Sequence, residues 1–154
     1  VNPRGLLDAW ADHQRAIKAP PMNRYFVPGA EVGGLIGQLD DACRAEGCRY
    51  AVTGEAAAQV YSPYLTNVSQ LVCRLPSGPK REAVLDRLGA RPVRDGWNLG
   101  VLEAKTEGDF VFAETIRGAR FASPLQVYLD LLQGGGRAPD LAGHLRAERL
   151  DRRP

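Results

Sequence analysis

The residues with most scope for chemistry are Thr53-Gly54-Glu55. They lie between the apolar run Tyr50-Ala51-Val52 and the alanine run Ala56-Ala57-Ala58, so they read as the turn from a short strand into a helix. A helix start exposes unpaired backbone N–H groups, and α/β domains commonly place a site there. In a nucleotidyltransferase a glycine turn of this kind opens a helix, and paired carboxylates on the next strand hold Mg²⁺. The strand expected next here, Val68-Ser69-Gln70-Leu71-Val72-Cys73-Arg74-Leu75, contains no Asp or Glu. The expectation is therefore a degenerate pocket turn at Thr53, Gly54 and Glu55, without that catalytic chemistry.

Other constellations are weaker. Asp95 with Glu103-Ala104-Lys105 imitates the acidic, then Glu-x-Lys, pattern of metal-dependent nucleases. It is short, and Lys105 reads equally as part of a solvated Lys-Thr-Glu-Gly-Asp turn. His13 and His144 sit in polar stretches of terminal helices, away from any Ser or Cys turn, and read as surface histidines. Cys43, Cys48 and Cys73 lack zinc-knuckle spacing and read as small buried apolar side chains. No metal or other cofactor is expected. Arg137, Arg146, Arg149, Arg152 and Arg153 make the C-terminal end locally basic, a candidate surface for nucleic acid or a partner. Arg44, Arg49, Arg74, Lys80, Arg81 and Arg87 would extend it if they converged. Asp140, Glu148 and Asp151 are interleaved and no aromatics accompany the arginines, which also fits a solvated helix face.

The elements that position these residues follow from periodicity and punctuation. Residues 4–18 read as an amphipathic helix with Leu6, Leu7, Trp10 and Ile17 near one face, stopped by Pro20-Pro21. Arg24–Val27 reads as a strand. Val32–Glu46 reads as a helix with Leu35, Ile36 and Leu39 inward and Gly47 as its stop. Its Gly33-Gly34 pair, with no Lys-Ser/Thr behind it, is a poor phosphate loop. After the central turn and Val68–Leu75, Lys80–Leu88 reads as a surface helix closed by Gly89. Short strands follow at Arg91–Val93, Leu99–Ala104, Phe110–Glu114 and Ala119–Ala122, separated by glycine turns. Ser123-Pro124 is a helix start, with Ser as cap and Pro at the first position. Leu125, Tyr128, Leu129 and Leu132 repeat as a buried face, which puts Gln126 and Asp130 on the outer side. Tyr61, Tyr64 and Tyr128 read as packing residues. Gly134-Gly135-Gly136 ends that helix, and Ala138–Arg153 is a last one.

Length and composition fit these elements. The chain has 154 residues, enough for one domain with a core, and no domain boundary is visible inside it. A formal net charge of +2 does not point to a strongly electropositive nucleic-acid binder. The odd number of cysteines and the lack of a visible signal peptide or membrane-length apolar run point to a reducing cytoplasm and no membrane partner. The start at Val1 reads as a piece of a longer chain. The fold class expected is α/β, a mixed sheet of about five or six strands flanked by helices, in the manner of a degenerate nucleotidyltransferase.

Two runs, Tyr50-Ala-Val-Thr-Gly-Glu-Ala-Ala-Ala-Gln-Val-Tyr-Ser-Pro-Tyr-Leu and Ala122-Ser-Pro-Leu-Gln-Val-Tyr-Leu-Asp-Leu-Leu, resemble AbiEi-type antitoxins of type IV toxin–antitoxin systems. Gly5-Leu-Leu-Asp-Ala-Trp and the Leu102-Glu segment after Trp97-Asn98 are similar too, so the resemblance runs from about Pro3 to Leu145. It implies a bacterial cytoplasmic antitoxin and transcriptional regulator without catalysis. A winged helix, absent from this stretch, would bind DNA at the module's own promoter, and the functional partner would be a nucleotidyltransferase-like toxin. It carries over no catalytic residues. The alternative is a metal-dependent nucleotidyltransferase or nuclease-like enzyme acting on nucleotides or nucleic acid.

Overall fold

A computed structural model describes residues 3–29, 31–63 and 67–151. Tyr64, Arg152 and Arg153 lie outside the described residues. The chain order is α1 (Pro3–Ala16), β1 (Met22–Phe26), α2 (Val32–Glu46), β2 (Ala51–Thr53), α3 (Gly54–Tyr61), β3 (Leu71–Leu75) and α4 (Pro79–Leu88). It continues with β4 (Arg91–Pro92), β5 (Leu99–Glu103), β6 (Glu114–Ile116), β7 (Ala119–Phe121), α5 (Pro124–Leu132) and α6 (Ala138–Leu145). The α/β class expected from the sequence holds. The sheet has seven strands in the order β4-β1-β5-β3-β2-β7-β6, one or two more than the count anticipated. It is mixed: β3 runs parallel to β5 and β2 parallel to β7, and the other pairings are antiparallel.

Pairing register decides which side chains share a face, because successive residues alternate. Thr53 stands opposite Val72 and Ala51 opposite Arg74. Val72 and Arg74 stand opposite Gly100 and Leu102, which pair in turn with Arg24 and Met22. These eight residues therefore form one face. Helix α5 covers part of it, itself packed by α1, α3 and α6. The other face carries Val52, Leu71, Cys73, Leu75, Leu99 and Val101, each no more than 1% exposed; α2 packs there and α4 packs against α2. Burying such side chains contributes about 1.5–3 kcal/mol each before the entropy of ordering them.

Helix boundaries follow the punctuation. Gly47 (φ +64) and Gly89 (φ +66) end α2 and α4 in the left-handed region that glycine adopts without penalty. Ser123 caps α5 by accepting from the Gln126 N–H at 3.2 Å. Other expectations need correction. The segment expected as a strand over Phe110–Glu114 is a tight 3-10 turn at Glu107–Phe110 and a short link before β6. Asp109 forms a capping box with Thr106, which satisfies the turn's backbone locally. In α1 the buried residues are Leu7 and Ala11, while Leu6, Trp10 and, just past the helix, Ile17 are 43–44% exposed. The last helix stops at Leu145 and widens into a π-type turn at Arg146–Leu150. Among the described residues no helix is long and apolar enough to cross a membrane.

Candidate functional site

The site is built around the end of β2. Thr53 is extended (φ −135°, ψ −170°), and Gly54 opens α3 at φ +68. That conformation turns the chain sharply off the sheet, and an L side chain there would be strained. The Thr53 hydroxyl does not cap α3. It donates instead to Asp130 Oδ2 at 2.5 Å.

Asp130 is the residue the sequence reading misplaced. Expected on the outer side of α5, it points inward with its side chain 7% exposed. Arg74, reaching from β3 with its side chain 9% exposed, makes a two-pronged ion pair with it. Arg74 Nη2 donates to Oδ1 at 2.9 Å, and Nη1 donates to Oδ2. Gln126, one turn earlier on α5, donates Nε2 to Oδ1 at 2.9 Å. With Thr53, four donors serve the two carboxylate oxygens, which uses all the acceptor sites a carboxylate has. Burial works against the Arg74 charge, but the hydrogen bonds and charge of Asp130 outweigh it and raise the guanidinium pKa above its usual value.

The reason for the misplacement is physical. Helix α5 is apolar on more than one side: Val127, Tyr128 and Leu131 are buried, and Leu125, Leu129 and Leu132 pack half-buried on the core. A single-stripe reading cannot orient such a helix. A signal was available, since Arg74 and Asp130 are isolated opposite charges inside apolar runs, Leu71–Leu75 and Leu129–Leu132. Buried charges occur in pairs.

Beside this network lies a pocket of about 400 Å³. Thr53, Gly54 and Glu55 form one wall. Met22, Arg24, Val72 and Leu102 from the sheet face form its floor with Trp97, and Gln133 to Gly135 and Ala19-Pro20 complete the rim. A Cβ on Gly100 would lie 2.6 Å from Met22 Sδ and 3.1 Å from the Trp97 ring, so glycine is what lets both cover the backbone there. The Arg24 guanidinium sits over the Trp97 ring, 5.9 Å from its centroid. Sequence reasoning reached the turn but not Trp97, Arg24 or Met22, which converge only through strand register.

The C-terminal arginines are drawn into packing contacts. Arg137 donates to the Asn67 carbonyl at 3.1 Å and lies 3.9 Å from Glu55, which brings it to the pocket turn. Arg146 pairs with Asp8 at 2.7 Å and Asp151 at 3.2 Å and donates to the Tyr128 hydroxyl at 3.2 Å. Arg149 stacks on Tyr61, 5.1 Å from its centroid. The wider basic set does not converge with them. Arg44 pairs with Asp40, Arg87 with Glu46 and Arg49 with Glu107, while Arg74 is buried on the opposite face of the sheet from α2 and α4. Tyr61 and Tyr128 are buried packing residues, as expected, and the Tyr61 hydroxyl donates to the Ala122 carbonyl at 2.7 Å.

The nuclease-like set is split by β5. Asp95 lies in the exposed turn before that strand, and Glu103 ends it, accepting from Ser77 at 2.9 Å. The Lys105 backbone N–H donates to Asp109 at 2.8 Å. Among the described residues no group of three or more His, Cys, Asp or Glu side chains is placed to hold a metal ion.

Fold and site together define the class: a mixed-sheet α/β domain with a glycine-turn pocket against a buried Arg–Asp pair. No protein-family model, curated protein or solved structure matches the chain.

Proposed function

We propose that the chain is a non-catalytic, cytoplasmic antitoxin and regulator domain of the AbiEi type, with the layout of a degenerate nucleotidyltransferase. The observation that carries the reading is the state of Asp130. Its carboxylate oxygens already accept from Arg74, Thr53 and Gln126. Metal coordination would require breaking a buried ion pair, an expensive exchange. Strand β3, opposite the turn, supplies Val72 and Arg74 in place of carboxylates. On this reading Thr53–Glu55 is a structural joint that once suited catalysis. DNA contact belongs to the winged helix of the family's longer members, and a nucleotidyltransferase-like toxin is the functional partner.

The second reading, an enzyme of nucleotide or nucleic-acid chemistry, is favoured by the pocket itself, with Glu55 at the helix start. Where a nucleotidyltransferase-like toxin is encoded beside the chain, co-expression with it separates the two. The proposal expects growth to be restored, and restored equally by Glu55→Gln. Failure to restore growth contradicts the antitoxin role. Rescue lost only in Glu55→Gln, with folding intact, contradicts the non-catalytic one.

A further inference from the structure

The opposite face of the sheet holds a thiol cluster that the antitoxin reading does not use. Helix α2 ends at Gly47, whose N–H bonds to the Arg44 carbonyl at 3.3 Å, while the Cys48 N–H bonds to the Cys43 carbonyl at 2.9 Å. This end geometry brings the side chains four residues before and one residue after Gly47 towards each other. Here both are cysteines, and neither is in a disulfide. Cys48 Sγ also lies 3.5 Å from the Arg49 carbonyl oxygen. Cys48 is 9% exposed, Cys43 1% and Cys73, beneath them on β3, 0%, so the cluster is reached through Cys48.

Helix α4 supplies positive charge to the same place. Lys80 Nζ donates to the Gly47 carbonyl at 3.2 Å. Arg81 is 8% exposed, and its Nε has no hydrogen-bond partner. The Cys48 thiol is held below its usual value by its interaction with Cys43, against burial and with the charges of Lys80 and Arg81. Cys43 is held above its usual value by its interaction with Cys48, by burial and by the charges of Cys48, Cys73 and Asp40. Burial pushes the Cys73 thiol up to about 12. One sulfur of the pair thus suits attack as thiolate, and its neighbour suits holding a proton.

We propose that Cys43 and Cys48 form a reversible thiol–disulfide pair that takes hydrogen peroxide as its oxidant. The Cys48 thiolate attacks one peroxide oxygen. The O–O bond breaks, leaving a Cys48 sulfenic acid and a hydroxide. That hydroxide takes the Cys43 proton to form water. The Cys43 thiolate then attacks the Cys48 sulfur, the S–S bond forms and the S–O bond breaks with loss of hydroxide. Each sulfur gives one electron, and the peroxide oxygens end as one water and one hydroxide. A dithiol reductant returns both cysteines to thiols by exchange and ends as a disulfide itself.

The test treats the native protein with hydrogen peroxide, alkylates it in denaturant and maps it by mass spectrometry. The expected result is paired loss of two thiols, a Cys43–Cys48 cross-link reversed by dithiothreitol, and Cys73 still reduced. The oxidation rate should rise with pH through the Cys48 titration, at a pH below that of an ordinary thiol. Cys43→Ser should let dimedone trap a sulfenic acid at Cys48, and Cys48→Ser should leave Cys43 reduced. Cys43 and Cys48 remaining reduced in the native protein while the urea-unfolded chain oxidises would overturn the proposal. So would equal oxidation rates at all three cysteines.

Discussion

Removing the Asp130 carboxylate leaves the Arg74 charge buried and unpaired, since both side chains are under a tenth exposed. Asp130→Ala should therefore destabilise the fold by about 3–5 kcal/mol, read as a lower urea midpoint. The paired replacement Arg74→Met with Asp130→Leu removes both charges and should recover most of that loss. If the double variant is as unstable as the single one, the cost lies in packing of α5, not in the unpaired charge. The same pair explains a limit of the sequence reading. The lack of carboxylates on the strand was visible, but no periodicity indicated that Asp130 answers Arg74 across 56 positions.

Elements here are joined by side chains that imitate backbone. Asn98 Oδ1 accepts from the Val27 N–H and its Nδ2 donates to the Val27 carbonyl, both at 2.8 Å. Its own backbone N–H and carbonyl bond to Tyr25 and Leu71. One residue thus ties the end of β1 to the starts of β3 and β5. Val27 is 1% exposed, so Asn98→Ala leaves both its backbone groups without partners and should cost about 2 kcal/mol or more. An equilibrium denaturation curve checks this, and a loss under about 0.5 kcal/mol would mean that water replaces the amide. Elements were legible where a local rule fixes them: Gly47 closing α2, Ser123-Pro124 opening α5 and Gly54 turning β2 into α3. They were not where tertiary context decides. Phe110 is buried from a 3-10 turn that a β-pattern imitates, and α1 buries the Leu7–Ala11 line while the larger Trp10 stays outside. The turn of the candidate site was legible for the first reason. Its floor was not, because Met22, Arg24 and Trp97 meet only once β1 and β5 are in register.

At the scale of the whole molecule, the buried phenols of Tyr50 and Tyr61 and the Cys73 thiol are held in the neutral form. Burial first, then the hydrogen bond to Asp40, raises the Tyr50 phenol above its ordinary value of 10.0. Burial raises Tyr61 as well and pushes Cys73 up to about 12. Folded values above unfolded ones mean that stability from these groups is complete below about pH 9 and is lost as pH climbs from there towards and beyond 12. Melting temperature should thus fall progressively above about pH 9. Tyr61→Phe, which removes one of these phenols, should flatten the alkaline fall. An unchanged alkaline slope in that variant would assign the fall to other groups. The same scale frames the functional claim, because a pocket of about 400 Å³ beside a saturated carboxylate can be read as a catalytic remnant or as a working site. A thermal-shift series with Mg²⁺ or Mn²⁺ and ATP, GTP or CTP, singly and paired, decides between them. A ligand at a hundred times its dissociation constant adds about 2.7 kcal/mol, a rise of several degrees. The account predicts no metal-dependent nucleotide shift. A clear shift requiring both metal and nucleotide, abolished by Glu55→Gln, would contradict it.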